Sequence, residues 1–142
     1  MLPELFSSLP EVFAPHYDPA APWALLGAGL DAVLGALPSS DLASAISSDV
    51  HLAGDQIVIG RGVRIHPTAV IEGPIWIGDD VEIRPSAYLR GGCWIGAGAV
   101  VGANTEIKRA ILFPKAKAPH LNYVGDSILG VHVNLGAGTV LS

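Results

Sequence analysis

Cysteine, aromatic rings and charge are all scarce in this sequence of 142 residues. Cys93 is its single cysteine, so one chain can form no internal disulfide and no thiolate-rich metal site. A reducing compartment fits that usage, and a cytoplasmic location is expected. Aromatics make up 6% and charged residues 15%, although 50% of the chain is hydrophobic. The apolar content is therefore small and aliphatic, which excludes a disordered chain. Eight Lys and Arg face thirteen Asp and Glu, a net charge of -5. That balance argues against nucleic acid or an anionic membrane as partner, although a local basic cluster could still hold a small anion. Met1-Leu2-Pro3-Glu4 has no basic leader region, and the longest apolar stretch, Ala20 to Leu37, is interrupted by Pro22 and Asp31. Neither a signal peptide nor a membrane span is expected.

What the chain has in quantity is glycine and proline, 17 and 11 residues, too many for a helical bundle and without the three-residue period of collagen. Two parts differ in pattern. Residues 1–50 read as a helical or irregular segment punctuated by prolines. One helix is predicted from Trp23 to Leu37, after Pro22 and before Pro38, and a second short one from Asp41, a good N-cap. Residues 51–142 follow a period of six. Ile59, Ile65, Ile71, Ile77, Ile83, Leu89, Ile95, Val101 and Ile107 are aliphatic without exception. Four residues after each come Val63, Ala69, Ile75, Val81, Ala87, Cys93, Ala99, Thr105 and Ile111, all small or β-branched.

No helix of 3.6 residues per turn keeps such a period on one face. Short strands and tight corners do, with both columns pointing inward and three sides closing a coil of 18 residues. Successive coils then stack at about 4.8 Å, each strand pairing with the copies above and below.

Residues 18 apart become vertical neighbours, which turns the sequence into columns. Glu72, Arg90 and Lys108 form one. Two cations about 5 Å apart repel by about 0.8 kcal/mol even in water, and an anion between them reverses the sign. Trp76, Trp94 and Leu112 form a second column, expected to point outward and to be covered by the N-terminal helix or a neighbouring copy. The phase shifts by four residues between Ile111 and Leu129, so Phe113 to Tyr123 is predicted to be an extruded loop.

The run Ala87-Tyr88-Leu89-Arg90, the residues Gly102, Glu106 and Lys108, and the runs Lys117-Ala118-Pro119-His120-Leu121-Asn122-Tyr123-Val124-Gly125-Asp126 and Val133-Asn134-Leu135-Gly136-Ala137-Gly138-Thr139 carry a more specific likeness. The chain resembles the hexapeptide-repeat acyltransferases, and within them the acetyltransferase half of the bifunctional glucosamine-1-phosphate acetyltransferase / N-acetylglucosamine-1-phosphate uridyltransferase. The resemblance implies a mainly β fold, a left-handed parallel β-helix preceded by a short α-helical segment. It implies that His120 is the general base, that Arg90, Lys108, Tyr123 and Asn134 bind an amino-sugar phosphate, and that Ala137 meets acetyl-CoA as co-substrate. It further implies a homotrimer with sites between subunits. Arg84 copies the local family motif more literally than Arg90, but only Arg90 stands 18 residues before Lys108.

A neutral imidazole suits removal of a proton from an amine near neutral pH, and the two cations suit a phosphate. His16, His51, His66 and His132 show no metal-ligand spacing, and no metal is expected. The uridyltransferase half is missing, and the resembled enzymes continue for several coils past the point corresponding to Ser142, so a domain truncated at its C-terminal end is expected. The alternative is a β-helical trimerisation module or sugar-phosphate binder without a complete CoA site.

Overall fold

The computed structural model describes residues 8–142. Met1–Ser7, including the stretch read as lacking a leader, lie outside the described residues. Parallel strands on three walls form the β-helix that the six-residue period predicts. The first wall stacks Ser40–Leu42, Ile57–Ile59, Ile75–Ile77, Cys93–Ile95, Ile111–Leu112 and Ile128–Leu129. The second stacks Arg64–Ile65, Glu82–Ile83, Val100–Ala103 and Lys117–His120. The third stacks His51–Ala53, Val70–Glu72, Tyr88–Leu89, Glu106–Lys108, Tyr123–Gly125 and Val140–Leu141. Alternation along each short strand sends one or two apolar side chains inward, so Ile71, Ile83, Leu89, Ile95, Val101 and Ile107 fill a dry interior. Each such buried side chain stabilises the fold by about 1.5–3 kcal/mol.

The expected extruded loop does not exist. Val100, Val101 and Ala103 pair with Lys117, Ala118 and His120, so the segment continues the second wall. Two one-residue deletions at the corner between the third and first walls produce the phase shift instead. Inward positions run Leu89 to Cys93, but Ile107 to Ala110 and Val124 to Ser127, each a residue short. Removing one residue from a period-two element exchanges its faces. Ile111, expected inside, therefore points outward, and Leu112, expected outside above Trp94, lies in the interior. The outward column is Trp76, Trp94, Ile111 and Ile128.

That column is covered by the N-terminal segment. Trp76 and Trp94 stack at 4.5 Å between ring centroids, and Phe13 meets Trp94 edge-on at 5.3 Å. Leu25, Leu30, Val33 and Leu34 complete this second core. The predicted single helix is divided at Gly27 into a 3-10 turn, Pro22–Leu26, and an α-helix, Ala28–Gly35. Arg109 clamps the two parts to the β-helix, donating to the Leu26 carbonyl at 2.9 Å and pairing with Asp31 at 3.3 Å. The helix expected from Asp41 is a strand, Ser40–Leu42, in register with Ile57–Ile59. An open sheet edge, whose Gln56 N–H donates to the Ser39 carbonyl and whose Ile59 carbonyl accepts the Ala43 N–H, outweighs the capping preference of one aspartate. No helix among the described residues is long and apolar enough to cross a membrane.

Candidate functional site

The outer face of the third wall is a small lattice. One column runs Val70, Tyr88, Glu106, Tyr123 and Val140. Two residues further along each strand, about 7 Å away, a second runs Glu72, Arg90, Lys108 and Gly125. Arg90 and Lys108 are thus on one wall in adjacent coils, as the spacing of 18 residues predicts. Each has an acidic neighbour. Arg90 pairs with Glu106 at 3.0 Å and Lys108 with Asp126 at 3.3 Å. The Glu106 carboxylate holds the Arg90 guanidinium charged, and the hydrogen bond from Tyr88 to the Glu72 carboxylate at 2.9 Å raises the Tyr88 phenol above its ordinary value. These carboxylates relieve the repulsion between the cations and leave both half-exposed. Gly125 matters here by its bareness. A methyl group on it would come within 2.7 Å of the Tyr123 hydroxyl, so the tyrosine ring packs against Gly125, directly above the Lys108 coil.

His120 ends its strand at the corner between the second and third walls, with its ring exposed. Its carbonyl accepts the Gly138 N–H at 3.2 Å, which sets Ala137 one coil above it. The corner turns through Leu121 at a φ of 51°, a left-handed conformation unusual for leucine, and Leu121 is 61% exposed beside the imidazole. Tyr123 follows on the third wall. Asn134 is elsewhere: it bridges Lys117 on the second wall, a different face from Arg90 and Lys108. One chain therefore brings Arg90, Lys108 and Tyr123 together, sets His120 and Ala137 at the adjoining corner, and leaves Asn134 around that corner.

Arg84 lies on the second wall, not in the Lys108 column. It pairs with Glu82 at 2.9 Å and reaches across Gly102 to the Pro119 carbonyl at 3.4 Å. Arg84, with Arg64, holds the Glu82 carboxyl below its ordinary value against the opposing effect of burial. Sequence reasoning missed Glu106 and Asp126 as partners of the cations, and it missed Asn122, which is buried under the His120 corner. The spacing of 17 residues from Thr105 to Asn122 and on to Thr139 is visible only once the short corners are known. No group of three or more His, Cys, Asp or Glu that could hold a metal ion occurs among the described residues.

The three-walled parallel coil defines a hexapeptide-repeat protein. Residues 56–91 and 74–109 match the family model described as bacterial transferase hexapeptide (six repeats), which places the repeat region of the chain in that family. Among known proteins it is similar to the bifunctional protein GlmU of Methanococcus maripaludis strain S2, 37% identical over 126 residues, 87% of this chain and 29% of that protein. The bifunctional protein GlmU of Methanococcus aeolicus is 34% identical over 123 residues, with 87% and 29% covered. The bifunctional sugar-1-phosphate nucleotidylyltransferase/acetyltransferase of Sulfurisphaera tokodaii is 45% identical over 42 residues, 30% of this chain and 10% of that protein. The chain spans less than a third of the length of these relatives.

Proposed function

We propose that this chain transfers an acetyl group from acetyl-CoA to the amine of a glucosamine 1-phosphate-like sugar phosphate. The observation that carries the reading is the pair Arg90 and Lys108, side by side on one wall with Tyr123, one corner away from an exposed imidazole. A phosphate between the two cations exchanges their carboxylate partners for a charge-assisted contact shared by both. The sugar then spans the wall toward the His120 corner. His120 takes a proton from the amine, whose lone pair attacks the thioester carbonyl; the carbon–sulfur bond breaks and the thiolate leaves. The negative oxygen formed on the way needs a donor already in place, and the backbone N–H of Gly136 or Ala137, on the exposed turn above His120, is the candidate for it. Asn134, on the second wall, meets the sugar from a neighbouring copy in a homotrimer.

The test is thiol release from acetyl-CoA with glucosamine 1-phosphate. His120→Ala should lower kcat by about a hundredfold or more, and its exposed ring should leave stability unchanged. Undiminished turnover in that variant excludes His120 as base. Sugar-phosphate binding without any thiol release in the parent protein favours the non-catalytic binder.

A further inference from the structure

The β-helix interior is polar at one place. Thr105 and Asn122 are the buried polar residues among the described residues, 1% and 3% exposed, and they touch: the Asn122 backbone N–H donates to the Thr105 hydroxyl oxygen at 3.3 Å. Both belong to the inward column at the corner between the second and third walls. Lower in the column the same position is held by Ala69 and Ala87, both buried and apolar. Alanine thus satisfies the packing there, and a polar group in a dry interior is unfavourable unless its hydrogen bonds are made. The column changes character beneath His120.

Asn122 makes those bonds in a specific pattern. Its Oδ1 accepts the His120 N–H at 3.0 Å. Its Nδ2 donates upward to the Gly136 carbonyl at 2.8 Å and to the Thr139 carbonyl at 3.4 Å. An N–H on one side and two carbonyls on the other fix which end of the amide is which. Thr139 Oγ1 also donates to the Gly136 carbonyl at 2.8 Å, closing the turn. One buried amide therefore spans two coils, with the His120 backbone at one end and the Gly136–Thr139 turn that carries Ala137 at the other.

We infer that Asn122 is a positioning residue that sets the separation between the general base and the turn receiving the acyl donor. This rests on the proposed role of His120 and extends it to a residue that touches no reactant. Acyl transfer is sensitive to that separation, because a displacement of about 1 Å in a reacting constellation can cost about a hundredfold in rate. The sugar-phosphate residues Arg90, Lys108 and Tyr123 are held by their own strand pairing and ion pairs. Asn122 should therefore govern kcat and leave sugar-phosphate affinity alone.

The test compares Asn122→Thr with Asn122→Ala in the full chain. Threonine occupies the same interior column at Thr105 and Thr139 and packs there, but it is too short to span both coils. Asn122→Thr should fold, lower kcat at least tenfold, and keep KM for glucosamine 1-phosphate within twofold. A kcat within twofold of the parent, or a rise in KM matching the loss in kcat, overturns the inference. Amide hydrogen exchange gives a readout independent of turnover. The His120 and Gly138 amides should exchange faster in both variants while the Arg90 amide, bonded to the Ile107 carbonyl, is unchanged. If the parent shows no turnover, the chemical reading fails, and this exchange pattern still decides whether Asn122 ties the corner to the turn; uniform acceleration refutes it.

Discussion

Cys93 shows how much one side chain's surroundings decide. Burial pushes its thiol up to about 12 from an ordinary 9.0, and its Sγ donates to the Arg90 carbonyl at 3.1 Å. The folded protein keeps a proton that the unfolded chain gives up, so stability should fall as pH rises from 9.0 toward about 12. Alkaline denaturation monitored by circular dichroism measures this, and a flat stability over that window contradicts it. The native thiol should also resist an aromatic disulfide reagent at pH 8 and react only on unfolding. Leu121 tests local strain at the site. Its left-handed φ of 51° is shared in the same corner column by Asn104 at 52°, and Asn suits that conformation better than Leu. Leu121→Asn should raise stability by about 0.5–1 kcal/mol, read from the urea midpoint. Thiol release by the same variant shows whether the exposed leucine beside His120 also serves the reaction.

At the scale of elements, the corner between the third and first walls governs the outer face. Two missing residues turn Ile111 and Ile128 outward, above the Trp76–Trp94 stack, and so extend an apolar strip for the N-terminal segment. Arg109, left-handed at a φ of 46° in the first short corner, fastens that segment through the Leu26 carbonyl and Asp31. Trp94→Ala should cost about 3–5 kcal/mol, seen as a lowered urea midpoint and as faster proteolysis between Leu9 and Leu37. A loss under about 1 kcal/mol would mean that the segment is held elsewhere. The repeat itself was legible from Ile59 to Ile107, because every corner there has the same length. Past Lys108 it was legible only as a phase error, because two absent residues and an extruded loop look alike until strand pairing is known.

For the molecule as a whole, the arrangement of Asn134 leads to a test of assembly. Arg90 and Lys108 face outward on one wall and Asn134 on another. If the site closes between copies, Lys108→Ala and Asn134→Ala should each be inactive alone. Mixed in equal parts and allowed to exchange, they should regain about a quarter of parental activity, the chance that neighbouring copies supply one intact half each in a cyclic assembly. No recovery, with exchange verified by mass, would place both residues in sites within single copies. Sedimentation equilibrium checks the proposed trimer directly.

From the sequence alone came the coil, its inward columns and the vertical pairing of Arg90 with Lys108, because a strict period is a one-dimensional record of which residues share a face. The position of His120 relative to that wall, the bond from Asn122 to the turn beneath Ala137, and the choice of the N-terminal segment as cover for the tryptophan pair were settled only in three dimensions. Those features depend on the length of corners, and a corner's length acts on every coil above it while changing nothing in the composition of the hexads. Vertical order is written along the chain; lateral order is decided by how the walls close.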